Sequence, residues 1–308
     1  MTRTRRERTR GDLYEEVTAR IIRQMEEGTV PWVQPWTASG GGGPALGLPR
    51  NAATKLAYSG INILLLWGAA QEQSRKSQLW LTFKQALALG GAVRKGEKGT
   101  TIVYADRFTP ESEKQKAAET GGHAREVAFL KRYTVFHVDQ CDGLPDDAIT
   151  GRAPLPARQI EPEAEWLIQA TGADFRVGGD RAFYVPSQDV IQVPPQAAFR
   201  DQINYYRTCF HELGHWTGHA SRLARDLTTK FGTKDYAREE LVAEMASAFL
   251  CAEMGIIPTV RHADYLANWL AVLREDKRAI FRAASLASKA ADFVLAFRTP
   301  QETDRRAA

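Results

Sequence analysis

The residues with the clearest chemical meaning in this chain are His211, Glu212 and His215, which form the pattern H-E-x-x-H. On an α-helix, two histidines at this spacing lie one turn apart on the same face, so both imidazoles can reach one metal ion. The glutamate between them can address a water molecule at that ion. The pattern therefore predicts a metal-binding helix in which Glu212 acts as the catalytic general base.

The apolar residues around this pattern also indicate a helix. At about 100° per residue, an apolar face forms on the side opposite His211. Its members are Ile203, Tyr206, Phe210 and Leu213. Gly218 is the predicted end of the helix. The alternative explanation is an accidental match to the motif on an ordinary amphipathic helix.

A third protein ligand must come from elsewhere in the chain, because a catalytic zinc site usually keeps three protein ligands. His219 is the nearest candidate, but it follows Gly218 and its spacing does not match the longer histidine motif of the metzincins. Glu240 and Glu244 are the better candidates, since they share one face of a second predicted helix, Tyr236–Met254.

The spacing of these two glutamates resembles the gluzincin plan. In that plan one glutamate binds the metal and an acidic residue one turn later holds the outer ring nitrogen of a ligating histidine. Glu240 is thereby assigned to the metal and Glu244 to the histidine. The reverse assignment stays open. Another alternative is that the two carboxylates bind no metal and only make this face of the helix soluble. Close helix packing is favoured by the small residues Ala243, Ala246, Ser247 and Ala248. We expect zinc or another divalent transition metal, and peptide or amide hydrolysis.

The composition places the chain among soluble globular proteins with room for two domains. It has 308 residues, of which 44% are hydrophobic, and a net charge of +4. Residues 1–10 are rich in arginine and are predicted to be a disordered basic arm. Neither a secretory signal nor a membrane-spanning run is present, so we expect a cytoplasmic protein without a membrane partner. The three widely spaced cysteines are interpreted as buried hydrophobic residues.

The elements that must position this chemistry are predicted from periodicity and turn residues. The first half should contain a helix capped by Asp12, two short helices over 61–71 and 82–89, and a hairpin of Thr100–Tyr104 with Val127–Val138. Ser39–Gly43 is expected to be mobile. The second half should contain a helix over 161–170, a hairpin within Arg181–Pro194 that could pair with an extended substrate, and the helices described above.

The first half also combines tryptophans with many basic residues, which is typical of single-stranded nucleic acid binding. Bases stack on aromatic faces while lysine and arginine contact the phosphates. The candidate DNA contacts are Arg50, Lys55, Trp67, Trp80, Lys84, Arg94, Lys95 and Lys98. The alternative interpretation is that the tryptophans belong to the hydrophobic core.

Several segments carry a resemblance that covers nearly the whole chain: LYEEVTARIIRQMEEGTVPWVQPW, YSGINILLLW, WLTFKQALALGGAVRKGEKGT, YTVFHVDQCDGLP, HELGHWTGHASRL and EELVAEMASAFL. They closely resemble the ArdC-type antirestriction proteins of conjugative plasmids, whose N-terminal module is shared with TraC-type primases. One departure is Ala224, which stands where we expect an asparagine.

The resemblance implies an α+β protein of two domains that protects incoming plasmid DNA from host restriction. Residues 11–145 would form an α/β module that binds single-stranded DNA, residues 146–160 a linker, and residues 161–308 a zincin-like metallopeptidase domain. Two other functions stay open. One is a working zinc endopeptidase whose substrate is a DNA-associated host protein. The other is a primase-type replication accessory, although neither a nucleotide-binding glycine loop nor paired polymerase carboxylates are evident in the sequence.

Overall fold

The computed structural model describes residues 12–32, 47–75, 77–109, 112–113, 127–146, 161–199, 201, 203–227, 233–257 and 266–298. The predicted basic arm, the segment Ser39–Gly43 and residues 147–160 of the predicted linker lie outside the described residues.

The first half combines three helices with a small mixed sheet. Its elements are α1 Leu13–Glu26, β1 Arg50–Asn51, α2 Ile61–Glu72, β2 Leu79–Leu81, α3 Phe83–Ala88, β3 Ala92–Val93, β4 Thr100–Phe108, β5 Val127–His137 and β6 Cys141–Asp142. The main sheet has the order β1-β2-β5-β4, and β3 pairs with β6 separately. The long antiparallel hairpin β4–β5 confirms the predicted strand pair.

Local sequence signals explain the first helix well. The Asp12 side chain accepts a hydrogen bond from the Tyr14 amide at 3.0 Å, which satisfies a free donor of the first turn. Leu13, Val17, Ile21 and Met25 form the buried face of α1, as the apolar period predicts.

The second half is mainly helical, with one three-stranded sheet. Its elements are α4 Pro162–Ala170, β7 Asp174–Val177, β8 Phe183–Val185, β9 Val190–Val193, α5 Ile203–Trp216, α6 Lys234–Met254, α7 Leu266–Glu275 and α8 Ala279–Leu295. The sheet has the order β7-β9-β8, so β8 lies at its edge. β8 and β9 pair antiparallel, which confirms the predicted hairpin.

The two helices predicted to carry the metal ligands are both present. α5 ends at Trp216, slightly before the predicted stop at Gly218. α6 begins after Thr233, whose side chain accepts a hydrogen bond from the Tyr236 amide, and ends at Gly255, which adopts a left-handed conformation with φ of 77°. Helices α7 and α8 follow along the chain, and α8 packs against α6.

One continuous hydrophobic cluster includes residues from both halves of the chain. The ring centroids of Trp67 on α2 and Phe249 on α6 lie 5.8 Å apart, and those of Trp32 and Trp269 lie 5.5 Å apart. The Gly60 amide also donates a hydrogen bond to the Ser288 hydroxyl at 2.8 Å. The helix that carries Glu240 is therefore packed directly against the first half of the protein.

The cysteines differ in burial. Cys209 and Cys251 are buried as predicted, whereas Cys141, in the short strand β6, is only partly buried. No helix in the described part of the chain combines the length and apolar character that a bilayer crossing requires.

Candidate metal centre

Helices α5 and α6 approach each other unusually closely at Gly214. A Cβ atom added to Gly214 would lie 3.1 Å from the Cα atom of Ala243, so the two backbones are nearly in contact. One turn further along α6, the Ser247 hydroxyl donates a hydrogen bond to the Arg207 carbonyl at 3.0 Å. Small residues at this crossing place the glutamates of α6 beside the histidines of α5.

The structure brings His211, His215 and Glu240 together at this crossing. One potential ligand atom from each residue lies within 4.8 Å of the other two. The Nε2 atom of His211 is 3.6 Å from Oε2 of Glu240, and the Nε2 atom of His215 is 3.4 Å from its Oε1. Both imidazoles therefore direct the same ring nitrogen toward one carboxylate.

This donor set fits a divalent transition metal. Two imidazole nitrogens and one carboxylate oxygen are ligands that zinc and its neighbours accept. His211 and Glu240 are buried, and a buried carboxylate between two imidazoles is costly unless a cation compensates it. His219, the alternative third ligand, lies outside the group and has its Nδ1 atom 2.8 Å from the Ser221 hydroxyl.

The outer nitrogen of each histidine faces a different glutamate. The Nδ1 atom of His211 is 3.8 Å from Oε1 of Glu244, so Glu244 faces this nitrogen without forming a hydrogen bond to it. The Nδ1 atom of His215 is 3.1 Å from Oε1 of Glu239. Glu239 was not among the residues singled out from the sequence, because its position next to Glu240 gave no sign that it also faces α5.

Arg225 fixes Glu239 in this position. Its Nε atom donates to Oε2 of Glu239 at 3.0 Å, and a terminal nitrogen donates to Oε1 at 2.8 Å. The same guanidinium donates to the Gly214 carbonyl at 2.6 Å and to the Thr217 hydroxyl at 2.9 Å. The loop after α5 therefore connects the histidine helix, through Arg225, to the carboxylate that holds His215.

The charges of this group are strongly coupled. Burial alone would lower the pKa of His215, but the hydrogen bonds to Glu239 and Glu240 outweigh it and raise the pKa to about 10. Burial alone would raise the pKa of Glu240, but hydrogen bonds from His211 and His215 lower it well below its usual range. In the metal-free protein His215 therefore carries a proton that a bound cation would displace.

A cavity of about 290 Å³ opens beside the candidate ligands. Both histidines, Glu240 and Glu212 line it, and β8 forms part of its wall. Glu212 is only 3% exposed, and it is one of the residues that line this cavity. The hydroxyl-bearing side chains of Tyr184 and Tyr236 also line the cavity.

The hairpin β8–β9 is anchored to the loop that follows α5. The Arg222 guanidinium donates to both carboxylate oxygens of Asp189, at 2.9 and 2.5 Å, and lies 3.9 Å from the centre of the Trp216 ring. Tyr184 donates its hydroxyl proton to Asp189 at 2.7 Å. The hydrogen bond from Arg222 lowers the pKa of Asp189 to about 2. These contacts fix the wall of the cavity relative to the histidine helix.

Two of the predicted DNA contacts are not available to a base. Trp67 and Trp80 are both 0% exposed, and the Trp67 indole donates a hydrogen bond to the Gly47 carbonyl at 3.0 Å. The structure thus contradicts the prediction that these rings stack on bases, because both belong to the hydrophobic core.

The predicted basic contacts differ in their surroundings. Arg50 forms an ion pair with Glu253 of α6 at 2.6 Å, and Arg94 pairs with Glu97 at 2.9 Å and Asp142 at 3.2 Å. The exposed predicted lysines are Lys55, Lys84, Lys95 and Lys98. The exposed aromatic residues of the hairpin, Tyr104 and Tyr133, were not predicted, although their alternating positions on a strand pair could have indicated them.

Two family models match consecutive parts of the chain. The N-terminal domain of anti-restriction factor ArdC matches residues 11–136, and a zincin-like metallopeptidase family matches residues 162–286. The protein y4eC of Sinorhizobium fredii is 39% identical over 299 residues, which cover 96% of this chain and 95% of that protein.

Two Escherichia coli proteins named DNA primase TraC are 42% and 40% identical over 94% of this chain. The chain spans only 27% and 20% of their length. Crystal structures of the antirestriction ArdC protein from the R388 plasmid are also similar. The metal-free structure has a TM-score of 0.77 at 42% identity, and the Mn(II)-bound structure 0.75 at 41%. The matches cover 93% of this chain and 97% and 98% of those chains.

Proposed function

Because the chain belongs to the ArdC family of antirestriction proteins and has a zincin-like metallopeptidase domain, we propose that it protects incoming conjugative plasmid DNA from host restriction by binding the DNA in single-stranded form. The observation that carries this proposal is the similarity to the R388 ArdC structures across both halves of the chain. We place the protein in the cytoplasm, where restriction enzymes meet incoming DNA.

DNA binding is assigned to the first half. Exposed lysines at positions 55, 84, 95 and 98 would contact phosphates, and exposed aromatic side chains would contact bases. The net charge of +4 agrees with a polyanionic partner. The chain spans about a quarter or less of the proteins named DNA primase, and we do not extend priming activity to it.

The metal centre is assigned to His211, His215 and Glu240. Glu239 holds the outer nitrogen of His215, and Glu244 is assigned the same role toward His211, whose outer nitrogen it faces. We propose zinc as the resident ion, since two histidines and a glutamate are a common zinc donor set. Manganese is the second candidate because a similar ArdC structure contains Mn(II). A divalent cation held by these residues would supply Lewis acidity that promotes amide hydrolysis.

A working endopeptidase that cleaves a DNA-associated host protein is the second candidate function. The position of Glu212 in the cavity beside the three ligands favours it. There, Glu212 would accept a proton from the attacking water and return it to the leaving amine. The edge strand β8 in the cavity wall could pair with an extended peptide through main-chain hydrogen bonds.

The test is plasmid transfer into restricting and non-restricting recipient cells, with the wild-type protein and the Glu212→Gln and His211→Ala variants. We expect the wild-type protein to raise transfer only into restricting cells, and absence of this effect would refute the proposal. If peptide hydrolysis is the mechanism, Glu212→Gln should retain metal and lose protection. Full protection by Glu212→Gln would instead indicate that DNA binding protects by itself.

Fluorescence anisotropy with labelled oligonucleotides tests the DNA-binding part directly. We expect tighter binding to single strands than to duplexes and a steep loss of affinity with salt, because phosphate contacts release counterions. Charge reversal at Lys95 and Lys98 should weaken binding and reduce this salt dependence. Affinity that is indifferent to salt would contradict the electrostatic part of the proposal.

A further inference from the structure

Two tyrosines lie exposed on one face of the hairpin β4–β5. Tyr104 is 56% exposed and Tyr133 is 47% exposed. In the strand register, Tyr104 is opposite Lys131 and Tyr133 is opposite Ile102. Directly opposed residues of an antiparallel pair project from the same face, so both tyrosines and Lys131 share one surface. We refer to these three residues as the tyrosine face.

The opposite face of the hairpin is packed against the rest of the molecule. Val103 is buried in the main hydrophobic cluster, and Leu130 packs against the same cluster. Arg132 forms an ion pair with Glu16 of α1 at 2.5 Å. The Asn62 side chain also bonds the Val103 backbone at 2.8 and 2.9 Å. The hairpin is thus anchored on one side and presents the tyrosine face to solvent on the other.

The arrangement of the two rings suits nucleobases. Their centroids lie 6.2 Å apart and their planes meet at 90°, so the edge of one ring faces the plane of the other. About half of each side chain is still exposed and available for stacking. The exposed Lys131 supplies a cation beside Tyr104. Aromatic rings with a neighbouring cation on an exposed sheet face are the combination that binds unpaired bases and their phosphates.

We propose that the tyrosine face is a base-stacking site for single-stranded DNA, in which Tyr104 and Tyr133 contact the bases and Lys131 contacts the phosphate backbone. This inference rests on the proposed function, and it specifies how single strands are distinguished from duplexes. In a duplex both faces of each base are covered by neighbouring base pairs, whereas unpaired bases can be splayed onto aromatic rings. The lysines contact phosphates in either form.

The test compares the wild-type protein with the double variants Y104A/Y133A and Y104F/Y133F by fluorescence anisotropy on matched single- and double-stranded oligonucleotides. The alanine variant should bind single strands about tenfold or more weakly. Its duplex affinity and the salt dependence of its single-strand binding should stay unchanged, because no phosphate contact is removed. The phenylalanine variant keeps both rings and should bind single strands like the wild type. Circular dichroism should show the same folded state for all three proteins.

Photocrosslinking provides a second, positive readout with the unmodified protein. A single-stranded oligonucleotide that contains 5-iododeoxyuridine should crosslink to Tyr104 or Tyr133, as identified by mass spectrometry of the peptides. This inference would be overturned if the wild-type protein binds single strands and the alanine variant binds them equally well. It would also be overturned if crosslinks form only in other parts of the chain. Either result would leave the proposed function intact. Failure of the wild-type protein to bind single strands would overturn both.

Discussion

At the residue scale, the candidate metal centre consists of two histidines that share one glutamate and each have a separate carboxylate behind them. Glu240 faces both Nε2 atoms, while Glu244 and Glu239 face the Nδ1 atoms of His211 and His215. Such outer partners fix the orientation of a ligating imidazole and increase its basicity. The arrangement explains why three glutamates of one helix lie beside one H-E-x-x-H motif.

Replacement of Glu239 by glutamine should therefore weaken metal binding without removing a ligand. Loss of the carboxylate behind His215 should lower metal affinity by about 10- to 100-fold. Isothermal titration calorimetry with zinc measures this change. Glu275→Gln is a matched control, because Glu275 forms an exposed ion pair with Lys234 on the surface. Equal affinities of the wild-type and Glu239→Gln proteins would show that Glu239 does not position His215.

The sequence predicts much of this site but not all of it. The motif spacing predicts a role for His211, Glu212 and His215, and helical periodicity predicts that Glu240 and Glu244 lie on the same face of one helix. Sequence reasoning could not reveal Glu239, because its role depends on Arg225, which arrives from a loop outside both helices. Only the packing of α5 against α6 determines which glutamates face the histidines.

At the element scale, the distance between α5 and α6 is set by Gly214 and Ala243. The additional methyl group of Gly214→Ala would press on the backbone of Ala243 at 3.1 Å, so the helices must separate by a few tenths of an ångström. Since the ligands come from both helices, this variant should bind metal more weakly and unfold at lower temperature. Gly178→Ala is the matched control, because its methyl group would meet nothing within 4 Å. Zinc titration and thermal unfolding of both variants provide the comparison, and identical results for the two would contradict this role of Gly214.

The anchor of the β8–β9 hairpin should depend on pH. The pKa of Asp189 falls from 3.8 to about 2 in the folded protein, so its pairing with Arg222 stabilises the fold above pH 4. This contribution is lost as the pH falls from about 4 to about 2. Because the Asp189 side chain is 37% exposed, we expect no more than about 1 kcal/mol.

Urea unfolding of the wild-type and Asp189→Asn proteins between pH 6 and pH 2 measures this contribution. The difference in their free energies of unfolding should be constant at the upper end of the range and should shrink toward zero below about pH 4. A difference that stays the same down to pH 2 would show that the ionised form of Asp189 is not what holds the hairpin.

At the scale of the whole molecule, the two halves form one structural unit with a shared core. Trp67 on α2 contacts Phe249 on α6, and Arg50 pairs with Glu253 on the same helix. The first half of the sequence has tryptophans interleaved with basic residues, and this pattern predicts DNA contacts at Trp67 and Trp80. That prediction is wrong for both residues. Composition cannot distinguish a tryptophan that packs against another domain from one that faces solvent, because both serve as large apolar surfaces.

Unfolding should accordingly be cooperative across both halves. Differential scanning calorimetry should show one transition, and zinc should raise its midpoint because metal binding stabilises the folded state. Trp67→Ala removes a fully buried ring and should lower the free energy of unfolding by about 3–5 kcal/mol. It should also weaken zinc binding, because α6 loses its support. Two separate transitions, with only one of them sensitive to zinc, would contradict the shared core.

The number of metal ions bound per chain tests the central claim most directly. Elemental analysis after equilibrium dialysis against zinc, and in parallel against manganese, should give one ion per chain for the wild-type and Glu212→Gln proteins, because Glu212 lies outside the group of candidate ligands. Glu240→Gln should bind far less than one ion under the same conditions, since it removes the carboxylate that both histidines share. Full occupancy of Glu240→Gln, or no metal in the wild-type protein, would contradict the assignment of this centre.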